Sequence, residues 1–372
     1  MPISFLPVSD HRFKKSPFFS CNDREDVRYG IYNERLYPIS SDYDAKSHYQ
    51  HLRTKSCLYD VPETPLKIKG RDSLSFLEKL FTREIKKIKI GRAGYAIACN
   101  HRGGVVMDGV LLRPNDEEFI YVHANGDFLN WANAHIGNYE VSIQDFDSWV
   151  LQVQGPTSLE VLKEISDIQI ESFPYYSTVE TQICGTDFYV SRSGWTGERG
   201  FEIYSKNSDF DGPALWEYLL EKGKPAELWA SDVSSMHIRR LEAGILDYGT
   251  DIDQSLNPFE IGLGRLVHLD KGDFIGREAL SLVSKGMARV TGMICDQGSP
   301  VRGDKLISEN GEEVGFVSAG AWSPTLDAGI GLIRLNSAFE AETELLLETE
   351  NGSHHAKVTN LPFYDKKKLL TK

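Results

Sequence analysis

An α+β fold spread over two or three domains, ending in a small β-barrel or β-sandwich, is what the sequence predicts. Three observations carry this. The chain has 372 residues, beyond the size at which one hydrophobic core usually keeps growing. Strand-like and helix-like segments alternate without a βαβ repeat and without a GxGxxG loop, which disfavours a doubly wound nucleotide fold. From about Ala288 the pattern becomes short strands separated by Gly, Asp and Asn turns, as in ISENGEEVGFVSAG, the rhythm of a small barrel or sandwich.

The first 40 residues carry little regular pattern, yet they place Tyr29, Tyr32 and Tyr37 ahead of Pro38. Such rings either pack as a lid or line a pocket, where aromatic faces attract a methylated ammonium or sulfonium group. Residues 42–54 have a helical pattern, and CLYDVPETPLKIKG turns into strands. RDSLSFLEKLFTREI is an amphipathic helix with Leu74, Phe76, Leu77 and Leu80 on one side. Residues 94–99 and 105–112 form a hairpin about the turn Asn100-His101-Arg102-Gly103-Gly104. Asp108 falls inside its apolar second strand, where a carboxylate is costly to bury unless it is hydrogen-bonded or employed. The plain alternative is a structural acid bonded to nearby backbone.

A further strand (EEFIYVHAN), a helical FLNWANAHI, a strand at 149–154 and a helix through Leu162 follow. YVSRSGWTGERGFEIY, residues 189–204, reads as a second hairpin whose turn holds Gly194, Gly197 and Gly200. Three glycines in so short a turn imply positive φ angles or a close approach of backbone to a ligand. Trp195 offers a ring to stack on a flat heterocycle. Glu202 projects to the same side as Tyr204, so a carboxylate and a phenol meet one ligand edge. The plain alternative is an ordinary hairpin whose Trp plugs a hole and whose Glu is solvated. SSMHIRRLEAG at 234–244 is a helix with Ile238, Leu241 and Ala243 inward. Asp247, Asp251 and Asp253 lack the glycine and terminal glutamate of a calcium loop.

Composition narrows the function. A net charge of −13 with no basic face argues against nucleic acid as a partner. No apolar run nears the ~20 residues that cross a bilayer, and the N-terminus lacks a signal-peptide core, so a cytoplasmic location and no membrane are expected. The five cysteines are scattered without a CxxC pair, pointing to reduced thiols and to neither a metal site nor a disulfide framework.

Taken in order, YDV (59–61), GGVVMDGV (103–110), SGWTGERGFEIY (193–204), RLEAG (240–244), YGTDID (248–253), NPFEIGLG and LDKGDFIGREAL (257–280) resemble the aminomethyltransferase family, the tetrahydrofolate-dependent T-protein of glycine cleavage and its demethylase relatives. The resemblance spans nearly the whole chain. It implies a three-domain cloverleaf with tetrahydrofolate in a central channel. The implied domains are 1–55 with 148–250, 56–147 with 251–284, and a C-terminal barrel at 285–372. It also implies that Glu202 bonds the pterin, that Trp195 replaces a family Tyr beside it, and that Tyr95 lines the folate pocket, with Tyr204 adjoining. Asp108 matches the second acid of the family's Asp-Asp pair. Met107 stands in place of the first, and Met236 stands where the T-protein has a folate-contacting arginine.

Those two departures, with the SGW form of the loop, draw the expected reaction toward the demethylases. A methyl group would pass from a small methylated sulfonium or amine compound to N5 of tetrahydrofolate, a task mainly of proximity and orientation. Asp108 is the catalytic candidate, orienting folate or taking its proton. Tyr29, Tyr32 and Trp195 are candidates for the substrate cation, and Arg192, Arg240 and His237 for a substrate carboxylate. The alternatives are a glycine-cleavage-type aminomethyltransferase and a folate-binding protein without transfer chemistry. The partner is a small-molecule methyl donor, and the chain acts as a monomer or homodimer.

Overall fold

A computed structural model describes residues 9–24, 26–283, 286–296 and 298–372. It holds two large open sheets, a small three-stranded sheet of Lys14–Lys15, Arg35–Ser40 and Arg28–Tyr32, and a closed barrel. The first sheet has six strands, in the spatial order Thr178–Ile183, Thr186–Ser191, Gly200–Ser205, Val150–Gln154, Ser56–Val61 and Leu228–Ala230. The second has five, in the order Arg92–Cys99, Val105–Arg113, Glu118–His123, Thr64–Lys69 and Ser142–Asp145. Six strands between Val290 and Thr359 close the barrel, as its run of short strands and turns predicts. Against the implied division, Ser56–Val61 pairs inside the first sheet, so the chain crosses between sheets at Pro62 and Glu63.

Alternation along each strand builds the layers. In the first sheet Leu58, Leu151, Val153, Phe201 and Ile203 face one core, which the helices Ser158–Ile165 and Gly212–Gly223 cover. Their neighbours Cys57, Tyr59, Val61, Val150 and Tyr204 face the other way. There they meet Leu112, Ile120 and Val122 of the second sheet. The far side of the second sheet buries Met107, Leu111, Phe119 and Tyr121 against the helix Ser73–Leu80. That helix is too short to persist alone; burial of Phe76, Leu77 and Leu80, at about 1.5–3 kcal/mol each, is what forms it.

Two local expectations are corrected. Residues 28–40 are not irregular: Arg28–Tyr32 and Arg35–Ser40 pair antiparallel about Asn33 and Glu34, both at positive φ, the conformation a tight hairpin turn demands. The helix Val233–Glu242 does not turn an apolar stripe inward. Its buried set is Ser235, Met236, Arg239, Arg240, Leu241 and Glu242, because distant acids and hydroxyls pair with those charges. Arg240 Nη1 donates to Asp251 Oδ2 at 2.5 Å, and Asp251 Oδ1 accepts from the barrel's Ser318 at 2.6 Å. Glu242 accepts from Tyr49 at 2.7 and 2.8 Å, from Ser323 at 2.5 Å and from Tyr364. The helix thereby ties the first sheet's flank to the barrel.

Candidate functional site

The facing surfaces of the two open sheets carry polar side chains at one end. On the first sheet Gln152 lies opposite Glu202 in register, and its amide is a junction. Nε2 donates to Glu202 Oε1 at 2.8 Å and lies 3.5 Å from Glu63 Oε1, while Oε1 accepts the Trp195 backbone N–H at 3.4 Å. Glu202 Oε2 accepts from Tyr204 at 2.7 Å and from Ser193. Burial raises the Glu202 carboxyl above its ordinary value, against the pull of those two hydroxyls. Two residues along the strand, Gln154 fixes the loop: its amide reaches the Ser193 carbonyl at 3.1 Å and the Thr196 hydroxyl at 2.8 Å.

This arrangement revises the reason for the loop's glycines. Only Gly197 has a positive φ, +68°. A Cβ at Gly194 or Gly200 would collide with the Gln154 side chain. Those two glycines admit a buried amide, and their closeness is to protein.

On the second sheet, Asp108 is 3 % exposed. Tyr95, diagonally across the hairpin, donates its hydroxyl to Asp108 Oδ2, and Oδ1 has no hydrogen-bond partner. Burial pushes the Asp108 carboxyl up to about 7, opposed by the Tyr95 hydrogen bond and reinforced by the Asp247 charge. Asp108 and Met107 point to opposite faces, and Met107 is 1 % exposed in the helix-covered core. A residue at 107 therefore cannot share a ligand with Asp108, so the loss of an acid there leaves this face unchanged. Met236 likewise packs in the apolar layer between the sheets with Tyr59 and Tyr204.

Tyr32 lies within electrostatic reach of Asp247, Glu63 and Asp108, Asp247 within reach of both Glu63 and Asp108, and Glu63, Glu202 and Tyr204 within reach of one another. Tyr32, Glu63, Tyr95 and Tyr176 are each partly exposed. The surface clefts beside Glu344 and His355 and beside Glu84 and Lys271 hold none of these residues.

Asp108, Tyr95, Glu202, Trp195, Tyr204 and Tyr32 thus come together. Tyr204 is fully buried and donates its hydroxyl to Glu202, holding the acid in place. Tyr29 is elsewhere: it stacks on Phe19 with centroids 4.9 Å apart and donates to Asp23 at 3.1 Å. Of the three candidate cations one is ion-paired, one bonds a backbone carbonyl and one is neutral. Arg240 pairs with Asp251, with its guanidinium 5.1 Å from the Trp195 ring centre. Arg192 donates to the Phe173 carbonyl at 2.9 Å. Burial lowers His237 to about 4, aided by the Arg240 charge. Among the described residues no group of His, Cys, Asp and Glu is arranged to hold a metal ion, and no helix is long and apolar enough to cross a membrane.

Comparison with known families decides the identity. The GCVT N-terminal domain model matches residues 29–271, and the glycine cleavage T-protein C-terminal barrel domain model matches residues 289–365. The chain belongs to the glycine cleavage T-protein family. An aminomethyltransferase of Geobacillus sp. (strain WCH70) is 33% identical over 367 residues, covering 95% of this chain and 100% of the relative. One of Listeria monocytogenes serotype 4b (strain F2365) is 35% identical over 336 residues, covering 87% and 90%. The glycine cleavage system aminomethyltransferase T of Bartonella henselae, 24% identical, has the same fold, with a TM-score of 0.86 over 95% of this chain and 99% of that one. Membership makes the chain one of a family of tetrahydrofolate-dependent one-carbon transferases, as the motifs implied. The relatives support the aminomethyltransferase alternative better than the demethylase reading.

Glu63, at the crossover between the sheets, was missed by sequence reasoning. In DVPET it reads as an ordinary turn residue after Pro62, and only long-range pairing of Ser56–Val61 carries it inward. Burial first, and then the Glu202 charge, raise its carboxyl to about 8 from an ordinary 4.5. The folded protein therefore holds a proton that the unfolded chain has lost between those values. Stability from this group is complete below the unfolded value and is lost as pH rises through the folded one. In thermal denaturation, Glu63→Gln is expected to gain on wild type as pH rises from about 5 to about 9. A difference in melting temperature that stays constant with pH would show the carboxyl to be solvated.

Proposed function

We propose that this chain is a tetrahydrofolate-dependent aminomethyltransferase of the glycine-cleavage type, with its reaction centre between Asp108 and Glu202. The observation that carries the reading is Asp108: an enclosed carboxyl held near 7, fixed by Tyr95 at one oxygen and unpartnered at the other. A free, buried oxygen of that kind fits a ligand N–H, since leaving it unmet has a cost. Tetrahydrofolate, when bound, supplies the secondary amine N5 that takes up the one-carbon unit.

This chain's residues do the rest. Glu202, oriented by Gln152, Ser193 and Tyr204, holds the pterin edge, and Trp195 lies against its face. Asp108 accepts the proton released at N5 as the new carbon–nitrogen bond forms and the donor's own bond to that carbon breaks, and the proton passes on to the departing group, a role suited to a carboxyl whose pKa lies near the operating pH. The closely packed walls keep bulk water from the reacting atoms. Loss of a charged hydrogen-bond partner costs about 1.5–3 kcal/mol, so Glu202→Gln is expected to weaken tetrahydrofolate binding about 10- to 150-fold with the fold intact. Unchanged affinity would remove Glu202 from the site.

The function is tested by products. Purified protein is incubated with tetrahydrofolate and either an aminomethyl donor or a methylated sulfonium or ammonium compound. Release of ammonia with methylenetetrahydrofolate supports the proposal. 5-Methyltetrahydrofolate would replace it with the demethylase reading, and folate binding without turnover of any donor would leave a non-catalytic binder.

A further inference from the structure

We infer that Glu63, with Tyr32, Tyr37 and Asp247, forms a subsite for the positively charged head of the one-carbon donor, an ammonium or sulfonium on a small alkyl group. The inference rests on the reading that folate and donor meet between the two open sheets.

Glu63 is placed there by its backbone. Its carbonyl accepts from Arg35 Nη1 at 2.9 Å, and the same nitrogen donates to the Ser148 carbonyl at 2.8 Å. The Arg35 guanidinium also lies 4.1 Å from the Trp149 ring centre; its Nη2 has no hydrogen-bond partner, and its charge offsets part of the burial penalty on Glu63. It makes no ion pair with the Glu63 carboxylate. That carboxylate has one weak contact, Gln152 Nε2 at 3.5 Å, and its Oε2 is buried without a hydrogen-bond partner. Asp108 Oδ1 is in the same condition, on a side chain that is 3 % exposed. Among the described residues no Lys, Arg or His forms an ion pair with Glu63, Asp108, Glu202 or Asp247, whereas acids elsewhere in the interior, such as Asp251 and Glu198, are paired.

Glu63 and Asp108 each keep a buried oxygen without a hydrogen-bond partner, which is costly, and a cation seated beside them would meet that oxygen and favour the charged carboxylate. The aromatic rings suit the same guest. Tyr32 and Tyr37 meet edge to face with centroids 6.2 Å apart, and the electron-rich face of a phenol stabilises a desolvated onium group. A cation seated there would give Glu63 the partner it lacks and relieve its repulsion with Glu202, with which it shares the Gln152 amide. The donor's charged end would then lie beside the pterin-holding acid, and its carbon toward Asp108. Glu63 acts on the donor's charge and takes no part in bond making.

The test is calorimetric titration of the full chain loaded with tetrahydrofolate. Methylammonium, tetramethylammonium and trimethylsulfonium chlorides are the probes, with sodium chloride at equal ionic strength as the blank. At least one probe is expected to bind saturably. Glu63→Gln should lower its affinity about tenfold or more, as loss of a charged partner predicts, and Tyr32→Leu should lower it several-fold. Tetrahydrofolate affinity should stay at wild-type levels in both variants, and both should unfold cooperatively, Glu63→Gln gaining on wild type only as pH rises. Preference for the primary ammonium marks an aminomethyl donor, and preference for the quaternary or sulfonium probe marks a methyl donor; either supports the subsite. No probe binding above the blank in protein that binds folate overturns it, as do variants that bind like wild type. Failure of tetrahydrofolate to bind would instead count against the folate reading, and the same titrations on folate-free protein then decide the subsite.

Discussion

Asp108→Asn is expected to lower turnover by about two to four orders of magnitude, the range a positioned general base contributes, while tetrahydrofolate affinity changes little. The substitution keeps the shape of the side chain and its oxygen toward Tyr95, so the hairpin should hold. It removes the carboxyl that Tyr95 holds and whose second oxygen is unpartnered. The pH profile separates this from mere structural damage. Asp108 sits near 7 because burial penalises its charge, so wild-type turnover should fall below about pH 7 as the base becomes protonated. In Asp108→Asn that acid limb should vanish from the residual rate. Full activity in the variant would make the strand acid structural.

The largest effect on stability is expected at Glu242→Ala, with a loss of about 3–5 kcal/mol, typical of removing one partner from a buried charged network. Glu242 is fully buried and gathers hydroxyls from three parts of the chain: Tyr49 on the helix Ala45–Thr54, Ser323 in the barrel and Tyr364 near the C-terminus. Arg239 approaches at 3.8 Å and is itself bonded to Glu198 at 2.6 Å. Deleting the carboxylate strands three hydroxyls and leaves Arg239 with one acid in place of two. Glu242→Gln retains acceptor capacity and should lose less. Chemical denaturation of the two variants measures this, and equal stability of Glu242→Ala and wild type would mean the barrel is not anchored through this residue.

Local patterns in the sequence exposed much of the scaffold, because the forces involved were local. The hairpin of residues 94–99 and 105–112 forms as its pattern predicts, with Asp108 inside the second strand. The helical pattern at 42–54 gives the helix Ala45–Thr54, which starts later than the pattern because Asp44 caps it through the Ser47 N–H at 2.8 Å. The motif series led to the family and to Glu202, Trp195, Tyr95 and Asp108, which the fold brings to one space. What stayed hidden depends on distant pairing. Arg239 and Arg240 look like the solvated side of an amphipathic helix until Glu198 and Asp251 arrive from other loops. Gly194 and Gly200 look like ligand-approach glycines until Gln154 is seen to occupy the room they leave. Tyr29 and Tyr32 look equivalent in a tyrosine-rich stretch, but only Tyr32 reaches the acids between the sheets. Glu63 carries no local signal, because its burial follows from which sheet the preceding strand joins.

The most direct test is a calorimetric titration of tetrahydrofolate into wild type, Asp108→Asn and Glu202→Gln, all three shown to be folded. Wild type is expected to bind one equivalent saturably, Asp108→Asn to match it closely, and Glu202→Gln to bind about tenfold more weakly or worse. A wild-type protein that does not bind tetrahydrofolate, or a Glu202→Gln variant that binds it equally well, would contradict a pterin held between the sheets.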